Sequence, residues 1–145
     1  MTNHVENLQF RSAQPADGAA LAPLFVQLGY PADGDQLVAR LLHPDSATSV
    51  LLAILADSVV GVLVWHRLQP LHVAPAWGLI SALVVEERAR GEGVGAGLLA
   101  YAEAQARVAG CSQLELSSSL KREGAHRFYL AQNYQERPKR FVKQL

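Results

Sequence analysis

The sequence predicts an α/β fold, a mixed and mostly antiparallel central sheet flanked by helices, in the order β-α-α-β-β-β-α-β-α-β. Three observations predict it. Residues 48–56 and 59–66 are β-branched and aliphatic runs around Asp57-Ser58, the spacing of a tight hairpin. Residues 77–85 form a third apolar run, too continuous for a half-exposed strand and so expected inside its sheet. After it come a glycine-rich bend, an alanine-rich helix and the short strand Leu114-Glu115-Leu116-Ser117, which make one β-α-β crossover.

The remaining elements follow in order. Leu8-Gln9-Phe10-Arg11-Ser12 alternates like a strand, and Pro15-Ala16-Asp17 turns into a helix carrying Leu21, Leu24, Phe25 and Leu28 on one face. Pro23 removes a hydrogen bond from that helix, so a late start or a kink is expected. A second helix opens at Asp33 with Gln36 completing a capping box, and runs through Leu37, Val38, Leu41 and Leu42 to Pro44. The alanine-rich helix closes at Gly110, with Val94, Leu98, Tyr101, Ala102 and Val108 as its buried stripe. Residues 124–132 give a short helix with Phe128 toward the core, and residues 141–145 a last strand.

Composition narrows the function. At 145 residues and 50% hydrophobic, residues 1–145 read as one domain with a core of its own. Thirteen basic residues balance thirteen acidic ones, so no global field attracts a polyanion, and no nucleic-acid partner is expected. Arg137-Pro138-Lys139-Arg140 is too small a patch to change that, and reads as a polar approach to the last strand. The single Cys111 closes no intrachain disulfide and builds no cysteine-rich metal site, which fits a cytoplasmic protein without metal. No secretory leader is read at the start. Residues 68–85 lack charge but are broken by prolines, Gly78 and polar residues, so no membrane association is expected. A homodimer is left open.

The informative segment is the bend. Glu86-Glu87-Arg88-Ala89-Arg90 leads into Gly91, Gly93, Gly95 and Gly97 at the start of a helix. Unpaired amides and the helix dipole there suit a phosphate, and Arg90 adds a charge that packing does not require. A P-loop is excluded because no Gly-Lys-Ser/Thr is present. A dinucleotide fold fits Gly91-x-Gly93-x-x-Ala96 with Glu115 on the next strand, but the chain is too short and too antiparallel upstream for two β-α-β-α-β halves.

Val84-Val85-Glu86-Glu87-Arg88-Ala89-Arg90-Gly91-Glu92-Gly93-Val94-Gly95 resembles the acetyl-CoA-binding motif of the GNAT superfamily of N-acyltransferases. Its pattern Arg/Gln-x-x-Gly-x-Gly/Ala is met by Arg90, Gly93 and Gly95. Phe10-Arg11-x-Ala13-x-x-x-Asp17, Gly61, Phe128-Tyr129 and Asn133-Tyr134 look like further family positions, so the likeness runs along nearly the whole chain. It implies an acetyl-CoA-dependent N-acetyltransferase in which an amine attacks the thioester directly in a ternary complex. Gly91, Glu92, Gly93, Val94, Gly95 and Ala96 would hold the pyrophosphate through their amides. Leu83 and Val85 would pair with the pantetheine arm, and an amide of Val84 or Val85 would stabilise the oxyanion.

The reaction also needs two proton transfers, because an amine with pKa near ~10 must lose a proton and the departing thiolate must gain one. The resemblance assigns the acid to Tyr129. It assigns no base, since the glutamate that some members carry in the central strand is missing from residues 77–85. His66 and His72 are candidates by their titration range, with Glu115, His126 and a water chain as alternatives. Where the family often has a cofactor-contacting asparagine this chain has Arg122, which with Lys121 is a candidate for a CoA phosphate. Tyr30, Pro31 and the loop 68–76, edged by Trp65 and Trp77, are expected to wall the acceptor site. A catalytically silent acyl-CoA-binding module and a dinucleotide-binding oxidoreductase fragment are the competing readings.

Overall fold

The structure is a computed structural model that describes residues 7–118, 123–137 and 140–145, with only the backbone of Glu123. Alternating residues build β1 (Leu8–Ser12), and the aliphatic runs build β2 (Thr48–Leu55), β3 (Ser58–Leu68) and β4 (Ala76–Val85). Between β1 and β2 lie α1 (Gly18–Leu28) and α2 (Gly34–Leu42). After β4 come α3 (Val94–Val108), β5 (Cys111–Leu116) and α4 (Glu123–Ala131). The strands form one sheet in the order β1-β2-β3-β4-β5, antiparallel up to β4 and parallel between β4 and β5.

Side chains alternate across this sheet and give it two apolar faces. On one, Leu52, Val62 and Val84 pack against Leu21 and Leu24 of α1. On the other, Leu51, Ala53, Leu63, Trp65 and Ile80 pack against Val94, Leu98, Leu99, Ala102 and Ala106 of α3, with Phe128 and Tyr129 of α4 at the margin. Burial on both faces explains why the central strands read as unbroken apolar runs.

The entry to α1 is held by charge. Arg11 makes two hydrogen bonds to Asp17, at 2.8 and 2.9 Å, and Asp17 also accepts from the Gln14 amide at 2.7 Å. This ties β1 to the turn Pro15–Asp17 that starts the helix. Pro23 neither delays nor ends α1, which runs through it. Pro23 and Ala19 are both exposed, so water can take the carbonyl that the proline leaves unpaired.

Five further expectations are corrected. The hairpin turns at Ala56-Asp57, both at positive φ, with Leu55 paired to Ser58; the turn therefore sits one residue earlier than Asp57-Ser58. Asp33 caps α2 through the Asp35 amide, one residue before Gln36, so the capping box does not form. Val108 is 91% exposed at the end of α3, and Leu99 and Ala106 fill the stripe instead. Trp65 is core on the α3 face, 4% exposed and donating to Gln105 at 3.2 Å, and is not an open edge of the loop 68–76. Residues 141–145 form no strand: Phe141, Val142 and Leu145 are exposed and pair with no strand among the described residues.

The Arg11–Asp17 contact has a pH signature. The guanidinium first, and the Gln14 amide after it, hold the Asp17 carboxyl below its ordinary value, partly offset by burial. On acidification the unfolded chain therefore takes up the proton first, and the contribution is lost as pH falls through the folded value. Asp17→Asn should cost about 1 kcal/mol above roughly pH 5, with the gap to wild type closing below roughly pH 4 in urea titrations. A gap that persisted unchanged at low pH would remove the charge from the account.

Candidate active site

The centre of the site is a place where the sheet comes apart. β4 pairs with β5 from Ala76 to Ile80 and no further, so residues 81–85 have no strand on that side among the described residues. On the β3 side the register runs Gly61↔Val85 to Val64↔Ala82 and then resumes at Trp65↔Ile80, leaving Ser81 as the extra residue of a β-bulge. The Glu86 amide bonds the Val60 carbonyl at 2.8 Å. Backbone groups alternate in direction along an antiparallel ladder, so those of Val84 face β3 and those of Leu83 and Val85 face the gap. The Val85 carbonyl is taken there by Gln27 Nε2 at 2.8 Å and Arg90 Nε at 3.3 Å. The Val85 amide, and the amide and carbonyl of Leu83, remain directed into the opening.

At the far end of the gap the chain turns through Glu87–Ala89 into α3. Gly91 and Gly93 have φ of +85° and +82°, and a Cβ on either would point into open space. Gly93 is the N-cap and offers no capping side chain, so the amides of Val94, Gly95 and Ala96 lack an intrahelical partner. Gly95 and Gly97 differ in kind. A Cβ on Gly95 would lie 3.2 Å from Phe128 of α4, and one on Gly97 would run into the Phe10 ring.

Both features open into one cavity of about 620 Å³. Of the residues expected to hold a cofactor, Leu83, Val84, Val85, Arg90, Gly91, Gly93, Val94, Gly95 and Ala96 line it, and so does Tyr129. Glu92 lines a smaller depression beside Leu55 and Glu86 instead. Arg122 and Lys121 lie outside the described residues. An elongated ligand fits this space, with an anionic group at the start of α3 and an amide-bearing arm along β4.

The candidate acid and bases separate clearly. Tyr129 sits between Phe128 and Tyr134, with ring centroids 5.3 and 6.0 Å away. The end of α4 holds it there: Asn133, at φ +71°, lets the Tyr134 amide return to the Tyr129 carbonyl at 3.0 Å. Tyr134 donates to Glu103 at 3.0 Å, and burial above all, with Glu103 beside it, pushes its phenol well above the ordinary range. It is a neutral structural donor. His66 lies on the sheet face of Val62 and Val64, half-buried, between Thr48 Oγ1 at 2.9 Å and Ser81 Oγ at 2.7 Å. His72 meets Trp77 edge to face, Glu115 accepts from Gln113 on an exposed part of β5, and neither lines the cavity. His126 on α4 does not line it either. Sequence reasoning missed Ser81, Thr48 and Gln27. Only Ser81 left a signal, as a hydroxyl inside an otherwise apolar run.

Comparison with known proteins places the chain as a whole. The model of the Acetyltransferase (GNAT) family matches residues 18–134. Aminoalkylphosphonate N-acetyltransferase of Salmonella typhimurium is 42% identical over 119 residues, 82% of this chain and 76% of that protein. Aminoglycoside N(6')-acetyltransferase type 1 of Stenotrophomonas maltophilia is 33% identical over 132 residues, 87% of this chain and 85% of that protein. The crystal structure of a transcriptional regulator from Bacillus halodurans C-125 superposes with a TM-score of 0.86 at 18% identity, covering 95% of this chain and 99% of the other. At that identity the likeness is one of fold.

The open space at Gly93 yields a direct test with the ligand that the sequence resemblance implies. Gly93→Val should fold, at a cost of about 1–2 kcal/mol for a side chain at positive φ, and should bind acetyl-CoA at least about tenfold more weakly by titration calorimetry. Unchanged affinity in a folded Gly93→Val protein would mean that the turn holds no phosphate.

Proposed function

This chain belongs to the acetyltransferase (GNAT) family and is an N-acetyltransferase, and from that premise we propose that it moves an acetyl group from acetyl-CoA to a primary amine by direct attack in a ternary complex. One observation carries the proposal. The gap between β4 and β5 exposes a strand edge that leads straight to the uncapped start of α3, which matches a pantetheine arm ending in a pyrophosphate. The sheet, antiparallel in three of its four strand pairs, excludes a doubly wound dinucleotide fold. Both named relatives are enzymes, which counts against a catalytically silent module.

In this reading the chain's groups divide the work. The Leu83 amide and carbonyl bind the arm, and the amides of residues 91–96 bind the pyrophosphate with Arg90 alongside. Val84 is committed to the β3 ladder, so the Val85 amide is the donor for the oxyanion that forms as the nitrogen attacks. Tyr129, lining the cavity from α4, gives a proton to the departing sulfur. No metal enters the scheme, and among the described residues no cluster of side chains suits one. No helix of the described residues is long and apolar enough to cross a membrane.

For the acceptor, the two relatives are named for amines carried on strongly polar small molecules, an aminoalkylphosphonate and an aminoglycoside. We extend that class to this chain: a small, polar primary amine, with aminoalkylphosphonates tested first because that relative is the more similar of the two. Thiol release measured over an amine panel reads the activity. Tyr129→Phe should keep acetyl-CoA affinity and lower kcat by about 10²-fold, the scale of one general acid. Wild-type turnover in that variant across pH would leave thiolate departure without an acid.

A further inference from the structure

We propose that Ser81 and His66 form a proton relay that takes up the acceptor's proton during amide formation, with Ser81 as the catalytic residue touching the nitrogen and His66 acting through it. The inference rests on the acetyl transfer proposed above and supplies the base that the central strand lacks.

Three strand residues on one face of the sheet and Asp45, just before β2, are joined in series. Ser81 Oγ stands 2.7 Å from His66 Nε2, and His66 Nδ1 stands 2.9 Å from Thr48 Oγ1. Thr48 Oγ1 in turn donates to Asp45 Oδ2 at 3.5 Å. Asp45 is fixed by its own turn, where its carboxylate accepts from the Ala47 amide at 3.0 Å and its carbonyl from the Thr48 amide at 2.9 Å. An ionised carboxylate only accepts, so the chain has a direction. With the Thr48 hydroxyl proton on Asp45, Thr48 accepts from Nδ1–H. The lone pair of Nε2 then faces Ser81, whose hydroxyl proton it accepts. A proton arriving at Nε2 makes an imidazolium whose charge Asp45 balances through Thr48. The ring itself meets only hydroxyls, Thr48 from β2 and Ser81 from β4, with Leu79 as its cross-strand neighbour, and Asp45 reaches it through Thr48. Arg67, next along β3, is engaged elsewhere, donating to the Ala109 carbonyl at 2.8 Å.

Position makes this chain more than a side-chain contact. Ser81 is the bulged residue, exposed, one residue past the last β4–β5 pair at Ile80. It stands where the gap begins, two residues before Leu83 of the cavity wall, with Ser81 and His66 themselves just outside that lining. His66 and Ser81 lie on the sheet face opposite α3 and α4, and the relay requires the acceptor to approach the gap from that face.

The step balances. As the amine nitrogen bonds to the thioester carbonyl carbon it passes a proton to Ser81 Oγ, and the Ser81 proton passes to His66 Nε2. The carbon–sulfur bond then breaks, and Tyr129 protonates the thiolate. The imidazolium releases its proton to solvent and Tyr129 regains one, leaving one amide and one thiol.

The test uses the full chain and the variants Ser81→Ala, Ser81→Thr, His66→Gln and Ser81→Ala/His66→Gln, each titrated with acetyl-CoA by calorimetry. Cofactor affinity should stay within about twofold of wild type, which also shows that the variants fold. Ser81→Ala and His66→Gln should each lower kcat/KM for the amine by about 10²-fold, and the double variant should be no worse than the poorer single one. Ser81→Thr, keeping a hydroxyl, should recover most of the loss. The wild-type pH profile should carry a limb at the same pH for two amines of different basicity, and His66→Gln should remove it. Wild-type rates and profile in Ser81→Ala and His66→Gln would overturn the relay and leave the Ser81–His66 bond structural. A wild-type protein that bound no acetyl-CoA would overturn the proposed function, and the relay with it.

Discussion

The site depends on a backbone that is denied its partner. Once β4 leaves β5 after Ile80, the amides and carbonyls of Leu83 and Val85 have no ladder on one side. An unmet polar group costs about 1–3 kcal/mol when buried, so such an edge persists only where water, side chains or a ligand satisfy it. The chain meets part of this demand itself, with Gln27 and Arg90 on the Val85 carbonyl. The remainder is what a ligand's amides can use. The bulge at Ser81 belongs to the same event, because it re-aims β4 where the strands part.

Around that edge the two sheet faces take different tasks. Both are apolar over the middle of the sheet, but the α3 face also carries the helix start, and there the four alternate glycines serve two ends. Gly91 and Gly93 adopt positive φ beside open space, whereas Gly95 and Gly97 let α3 approach Phe128 and Phe10. The opposite face carries polar side chains at the end of β3, where the cover from α1 gives way to His66, Thr48 and Ser81.

Much of this was legible in the sequence because its causes are local. Alternation gives the limits of β1, continuous apolar runs place β4 inside the sheet, and Pro15-Ala16-Asp17 marks the turn that starts α1. The glycine bend was readable because positive φ restricts residue type. Errors arose where tertiary surroundings decide. The hairpin turns through Ala56 at positive φ, a conformation that alanine disfavours, since strand register outweighs the preference of one residue. Residues 141–145 include Phe141 and Val142, which favour strands, but a strand requires a partner that no local pattern supplies. Trp65 and His66 are neighbours at one end of β3, yet adjacent strand residues point to opposite faces, one into the α3 core and the other toward Ser81. The Ser81–His66 contact joins residues fifteen apart across a bulge, and nothing in the order of residues announces a bulge.

The central claim is that the parted strand edge and the start of α3 hold one ligand together. Amide hydrogen exchange, resolved by residue with and without saturating acetyl-CoA, tests it most directly. Protection should rise at Leu83 and Val85 and across residues 91–96, and should change little at Val84, which the β3 ladder already protects. Protection that rose elsewhere while Leu83, Val85 and the glycine turn exchanged as before would contradict the account.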